Sequence, residues 1–426
     1  MRFYQIKLSI ILFILFTYQI STAQKPIWGE ILNDNIETVQ IYPPSDPLGD
    51  PFLILGDKNS KLLLSFDLFG KEYIDFEYTF IHCDADWFAT KDFLPNEYLE
   101  GFTEDYIRDY EYSINTKQDY IHYRLEFPNS TMAPSVSGNY ILKVYPEGQA
   151  NNPVFYKRIM VIEPKTNIGG RVTRTSDPSR RKKDQEIDFS VNISKLGSRF
   201  PSKEIRIFIR QNNRWDNMIK DLQPLSITNG VMDFNLQKGN VFKGLNRFRY
   251  FDFSSQKYNS EYLEKIDVTG DIDKVYLLPD EPRRYQEYIS DADFHGAYFI
   301  ETKDWANSRV EAEYSDVYFT LKYDVPLIDG DVYILGELTN WYITPYNKMN
   351  YNYKKKAYEA TLYLKQGYYS YVYAFLPHGS KTADVAFFEG THNITQNIYY
   401  IFAYYREPGT VFDKLVGVSV LKDYTL

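Results

Sequence analysis

Glu186-Ile187-Asp188-Phe189-Ser190-Val191-Asn192-Ile193 alternates polar and apolar residues without a break. In an extended chain Ile187, Phe189, Val191 and Ile193 fall on one side and Glu186, Asp188, Ser190 and Asn192 on the other. That is the period of a strand with one buried face and one wet face. The same period recurs in 204–210, where Ile205, Ile207 and Ile209 oppose Glu204, Arg206 and Arg210, and again in 317–323 and 358–364. Apolar residues at helical spacing are scarce, and 93–110, which lacks alternation, is the best candidate for a short helix or a long loop. Composition points the same way: 17% of residues are aromatic, with 40 Tyr and 29 Phe, and aromatic side chains pack well on a pleated, half-buried surface. The expected fold class is all-β.

At 426 residues the chain is long for one core. Its first residues read as an export signal over 1–23: Arg2 and Lys7 give the positive end, an apolar run follows from Leu8 to Phe16, and Ser21-Thr22-Ala23 supplies small residues for cleavage. Breaks in the strand pattern then predict three units, 24–164, 165–285 and 286–426, separated at Glu163-Pro164 and at Pro279-Asp280-Glu281-Pro282-Arg283-Arg284. Turn signals such as Thr228-Asn229-Gly230 and Ile328-Asp329-Gly330 lie between short strands. The spacing predicts tandem immunoglobulin-like β-sandwich domains, each of about 110 to 140 residues.

Losing Arg2 and Lys7 with the signal takes the formal charge from −9 to −11, which argues against nucleic acid or anionic lipid as a partner. The one basic run, Arg180-Arg181-Lys182-Lys183, follows Ser176-Asp177-Pro178 and reads as a solvated loop. No later stretch is apolar for about 20 residues, so no membrane helix is expected. The single cysteine, Cys83, leaves no internal disulfide and reads as a buried thiol.

His82, Asp84 and Asp86 would share one side of a strand, and imidazole with carboxylates is a metal-binding combination. The other histidines, His122, His295, His378 and His392, sit in separate segments and give such a site no support by spacing. Cys83 next to His82 cannot form a dyad by adjacency, because neighbouring side chains on a strand point to opposite faces. Gly-x-Ser-x-Gly elbows and phosphate-binding glycine loops are missing. The expectation is a protein without catalytic residues, cofactor or metal. The cluster Tyr399-Tyr400-Ile401-Phe402-Ala403-Tyr404-Tyr405 could belong to the aromatic girdle of a membrane barrel, but the many short strands and long polar segments fit soluble sandwiches better. Trp87, Trp215, Trp341 and Tyr342 are the candidate contacts for a partner, since Trp and Tyr are common interface anchors.

Two resemblances add to this reading. Val332-Tyr333-Ile334-Leu335-Gly336-Glu337-Leu338-Thr339-Asn340-Trp341, followed by Lys365-Gln366-Gly367-Tyr368-Tyr369-Ser370-Tyr371, resembles the glycogen-binding and early-set sandwiches attached to amylases and kinase regulatory subunits. That resemblance implies either a carbohydrate-binding module, with Trp341 stacking on a sugar ring, or a sandwich that has kept the fold without the sugar site. The second resemblance rests on Phe80-Ile81-His82-Cys83-Asp84-Ala85-Asp86-Trp87, His122-Tyr123-Arg124-Leu125-Glu126-Phe127-Pro128, Ser137-Gly138-Asn139-Tyr140 and Gln211-Asn212-Asn213-Arg214-Trp215-Asp216-Asn217, with Glu389-Gly390-Thr391-His392-Asn393 and Tyr404-Tyr405-Arg406-Glu407-Pro408-Gly409. Together these segments resemble the plug protein family of the Bacteroidetes type IX secretion system. The resemblance implies a periplasmic protein, peripheral to the outer membrane, that seals the inner mouth of a large translocon barrel. A cargo-shuttle barrel of the same complex is an implied second partner.

Overall fold

The computed structural model describes residues 29–290 and 293–422; the segment read as an export signal lies outside the described residues. The regular structure is nearly all strand, arranged as sandwiches. In the first, strands Ile36–Tyr42, Leu62–Phe69, Tyr120–Phe127 and Asp109–Tyr112 form one sheet in that order. Strands Phe52–Ile54, Phe155–Ile162, Gly138–Pro146, Phe76–Cys83 and Asp105–Ile107 form the other. Alternate residues Phe76, Tyr78 and Phe80 point into the core and meet Leu64, Phe66, Tyr123 and Leu142. The stretch 93–110 contains one helical turn, Pro95–Tyr98, then strands of three or four residues. Strands that short are over before an alternation can register, which is why the pattern gave out there.

The second sandwich pairs the sheet containing Asn167–Arg174 and Asp184–Asn192 with a three-stranded sheet ordered Ile205–Gln211, Tyr399–Tyr405, Lys414–Leu421. Two of its strands therefore come from the end of the chain. Conversely Arg249–Asp252, Leu263–Asp267 and Asp273–Leu277 join the third sandwich. The expected boundary at 285 does not separate folding units, and the division 165–285 and 286–426 is corrected accordingly. Alternation shows which faces of a strand are buried, but not which distant strand will pair with it.

The strand Tyr399–Tyr405 is buried along its whole length. Tyr399, Ile401, Ala403 and Tyr405 face the second core with Ile187, Val191 and Ile207. Tyr400, Phe402 and Tyr404 face the opposite way, with Phe208 and Leu415, onto Cys83, Trp87, Ile141 and Met160 of the first sandwich. The tyrosine cluster thus serves two cores at once, and both flanking strands hydrogen-bond to it.

In the third sandwich, Lys348–Asn352 passes from one face to the other. Its start pairs with Gly330–Leu335 and its end with Ala357–Lys365. Phe251, Val275, Val317, Ile334, Leu362 and Tyr371 fill the space between. The linker at 279–284 is tied down by charge, with buried Glu389 taking Arg249 Nε at 2.9 Å and Arg283 Nη2 at 2.7 Å.

A buried ion pair joins the first sandwich to the third. Asp67, fully buried, accepts from Lys365 Nζ at 2.5 Å and Tyr314 Oη at 2.7 Å on one oxygen, with His122 Nδ1 2.6 Å from the other. Lys365 also donates to Arg309 O at 2.8 Å and sits 4.0 Å from the Tyr120 ring centre. Burial pushes the Asp67 carboxyl up, but Lys365 and His122 outweigh it and hold the group below its ordinary value. Removing one partner of a buried pair leaves an uncompensated charge. Lys365→Met is expected to lower stability by about 3–5 kcal/mol in urea titration, and Asp67→Asn on that background to recover most of the loss. A group with a depressed folded pKa contributes stability above its unfolded pKa and loses it as pH falls through the folded value; the double variant should therefore show a shallower loss of stability on acidification than the wild type.

Candidate functional site at the junction of the sandwiches

The four aromatic candidates lie where the three sandwiches meet. Trp87 follows the end of the strand Phe76–Cys83 in a left-handed turn (φ 70°), and Trp215 lies in the loop after Ile205–Gln211. Their rings meet edge to face, 5.3 Å apart at 86°. Arg158 of the first sandwich stacks over both, its Cζ 4.4 Å from Trp87 and 4.6 Å from Trp215. Arg210 of the second sandwich lies 4.4 Å from Trp215 and 4.3 Å from Tyr400. A guanidinium desolvated against an aromatic face contributes about 2 kcal/mol or more, and here two guanidinia share one indole. Burial pushes Arg158 down to about 10 and lowers Arg210 as well. Asp50, which accepts from Tyr400 Oη at 2.7 Å, has its carboxyl raised by burial against the pull of Arg210.

Trp341 and Tyr342 come from the third sandwich, just after the 3₁₀ turn Glu337–Thr339. Together with Lys157, Arg158, Arg210 and Trp215 they line a cleft of about 130 Å³. Lys157 donates to Asn340 Oδ1 across it. Burial drives Glu337 up to about 7, opposed by Lys157, and drives Lys157 down to about 8, opposed by Glu337. Trp341 is not an outward sugar platform. Its ring stands edge-on to Phe248 at 5.9 Å and covers Gly296, where a Cβ would lie 2.4 Å from the indole. Gly296 also holds φ +84°, so both space and backbone call for glycine there.

These four residues help to join the chain's own sandwiches, a role that the sequence did not suggest. Trp87 is 2% exposed, and the other three are half-buried. The preference of Trp and Tyr for interfaces does not distinguish an internal interface from an external one. Sequence reasoning missed Arg158, Asp50 and the inward role of Arg210. Arg210 stood on the polar side of its strand, and a second core covering that side leaves no mark in a single strand's pattern.

The residues that invited a metal reading are separated. The strand ends at Cys83, and Asp84 turns back to accept from the amides of Asp86 and Phe88 at 2.9 and 3.0 Å. Asp86 instead pairs with Arg206 at 2.7 Å and Lys220 at 2.8 Å. His82 is 1% exposed. Its Nδ1 accepts from the Thr90 hydroxyl at 2.8 Å, its Nε2 faces Ser137 O, and burial lowers it to about 4, so the ring is neutral. Among the described residues no three His, Cys, Asp or Glu side chains gather as a metal site. The Cys83 thiol is pushed up to about 12 by burial.

The geometry defines a class: an all-β protein of interlocked sandwiches joined by buried aromatic and charged contacts. Residues 36–163 match the family model described as the type 9 secretion system plug protein 1st domain. A crystal structure of a hypothetical protein from Parabacteroides merdae is similar over 94% of this chain and 100% of that one, with 34% identity and a TM-score of 0.91. No curated protein matches. The chain belongs to the type 9 secretion system plug protein family.

Trp215→Ala is expected to cost about 3–5 kcal/mol and to lower the thermal midpoint. For Glu337 the sign is opposite to that of Asp67. Its folded pKa of about 7 lies above the unfolded value, so its contribution is present at low pH and lost as pH rises through 7. Glu337→Gln should therefore be more stable than the wild type by about 1–3 kcal/mol at pH 8, and the difference should vanish near pH 4 in matched urea titrations.

Proposed function

We propose that this protein is a periplasmic plug, peripherally bound to an outer-membrane complex, which docks on the periplasmic opening of the type IX secretion translocon and seals it when no cargo is in transit. The observation that carries this reading is the locking of the three sandwiches to one another. The shared strand Tyr399–Tyr405 joins the first and second. The Asp67–Lys365 pair joins the first and third. Arg214 donates to Ala383 O at 2.7 Å, and Lys243 pairs with Asp384 at 2.9 Å, between the second and third.

A pore wide enough for folded cargo leaks solutes unless a stiff body covers it. Three units tied pairwise resist the hinge motion that would open a gap. Reversible sealing asks for an interface of roughly 1,200–2,000 Å² with a few aromatic anchors and a polar rim. The partner in this reading is the large translocon barrel, with the cargo-shuttle barrel of the same complex close by. In this reading retention falls to the partner; no helix among the described residues is long and apolar enough to cross a membrane. The work is occlusion, with no bond made or broken.

Deleting the gene is expected to leave the translocon assembled but permeable to small solutes, and purified translocon is expected to contain the protein. A strain without it that stays impermeable, together with a translocon that never carries it, overturns the reading.

A further inference from the structure

The first sandwich has an edge strand on which no further strand lies, although the turn Ser308–Glu311 of the third sandwich reaches its far end, where Val310 O accepts from the Ile114 amide at 2.8 Å and Glu311 from Asn115 Nδ2 at 3.0 Å. Asp109–Tyr112 is the last strand of its sheet and pairs only with Tyr120–Phe127. No backbone hydrogen bond from 109–112 runs outward to another described residue. Such an edge is a ready template for one more strand; it carries no Lys or Pro, and its two charged residues, Asp109 and Glu111, are both acidic.

Aromatic side chains stand beside it. Tyr73 and Tyr110 lie 4.5 Å apart, and Tyr110 lies 5.9 Å from Tyr112. Tyr112 is 47% exposed and Ile114 57%, and Ile74 extends the patch. Other exposed apolar residues, such as Tyr258, Tyr285 and Phe200, are not joined to one another by ring contacts of this kind.

Charge identifies the occupant. Asp109 and Glu111 lie in the edge strand itself, and Asp75 is tied to the tyrosine patch through Tyr73. Lys71 is engaged with Asp119 at 3.1 Å, Arg124 with Asp109 at 2.9 Å and Arg309 with Glu111 at 4.0 Å. Counting Asp119, four carboxylates stand against three cations, and Asp75 is held by the Tyr73 hydroxyl, which donates to it.

We propose that this tyrosine-lined acidic edge is where an extended segment of the translocon, bearing lysine or arginine side chains, adds as a further strand. Backbone hydrogen bonds would supply affinity, while the tyrosine rings and carboxylates select cationic side chains. The inference rests on the plug reading and names the docking face within it.

The test uses the full-length protein and solubilised outer membranes. Wild-type protein should co-purify with the translocon, and Tyr112→Lys combined with Asp75→Lys should retain a tenth or less. Tyr353→Lys, at a residue 76% exposed on the third sandwich, should stay within twofold of wild type. Wild type failing to co-purify overturns the plug reading and this inference with it. Wild type and the edge variant co-purifying equally overturns the edge alone.

A labelling experiment does not depend on the charge variants folding. Cys83 is fully buried and should stay silent towards a maleimide, so Tyr112→Cys provides a single reactive thiol. Its labelling should slow at least tenfold in the purified complex relative to the free protein; equal rates contradict the proposal.

Discussion

The strand Tyr399–Tyr405 has no wet face, and the rest of the architecture follows from that. A strand buried on both sides needs a core on each, so the end of the chain must return to the middle of the molecule and lie between two sandwiches. One side is covered by the sheet containing Asp184–Asn192, the other by the outer face of the first sandwich. The polar tips of its tyrosines are satisfied across these boundaries. Tyr404 donates to Asn139 Oδ1 at 2.9 Å and Tyr399 to Gln185 Oε1 at 2.6 Å. Neither sandwich can move away without exposing the strand.

Apolar burial holds the sandwiches together, and charge fixes how they sit. Hydrophobic contact is roughly proportional to area and has no direction, so by itself it would tolerate sliding. Asp67 with Lys365, Glu389 with Arg249 and Arg283, and the guanidinia of Arg158 and Arg210 on Trp215 tolerate little displacement. Buried ion pairs are weak evidence for stability in themselves but costly to break. That combination suits a body whose shape matters more than any chemistry it performs.

The periodicity of 186–193 and of 358–364 was legible because each strand has one wet face or borders one. The all-β class and the short-strand sandwiches could be read from that pattern alone. The partners of Ile205–Gln211 could not, since they lie nearly two hundred residues away in the chain and pairing at that range leaves no local mark. The same limit hid the junction. Trp87, Trp215, Trp341 and Tyr342 were all visible as unusual aromatics, yet only the fold shows that they converge and turn inward. Arg158 carried no signal, because a positive charge in a strand ordinarily marks a solvent face, and here that face is roofed by another sandwich.

The central claim is that the three sandwiches behave as one body, and calorimetry tests it most directly. The account predicts a single unfolding transition for the full chain, with calorimetric and van't Hoff enthalpies that agree. Two or more separated transitions, or a calorimetric enthalpy that is a multiple of the van't Hoff value, would contradict it.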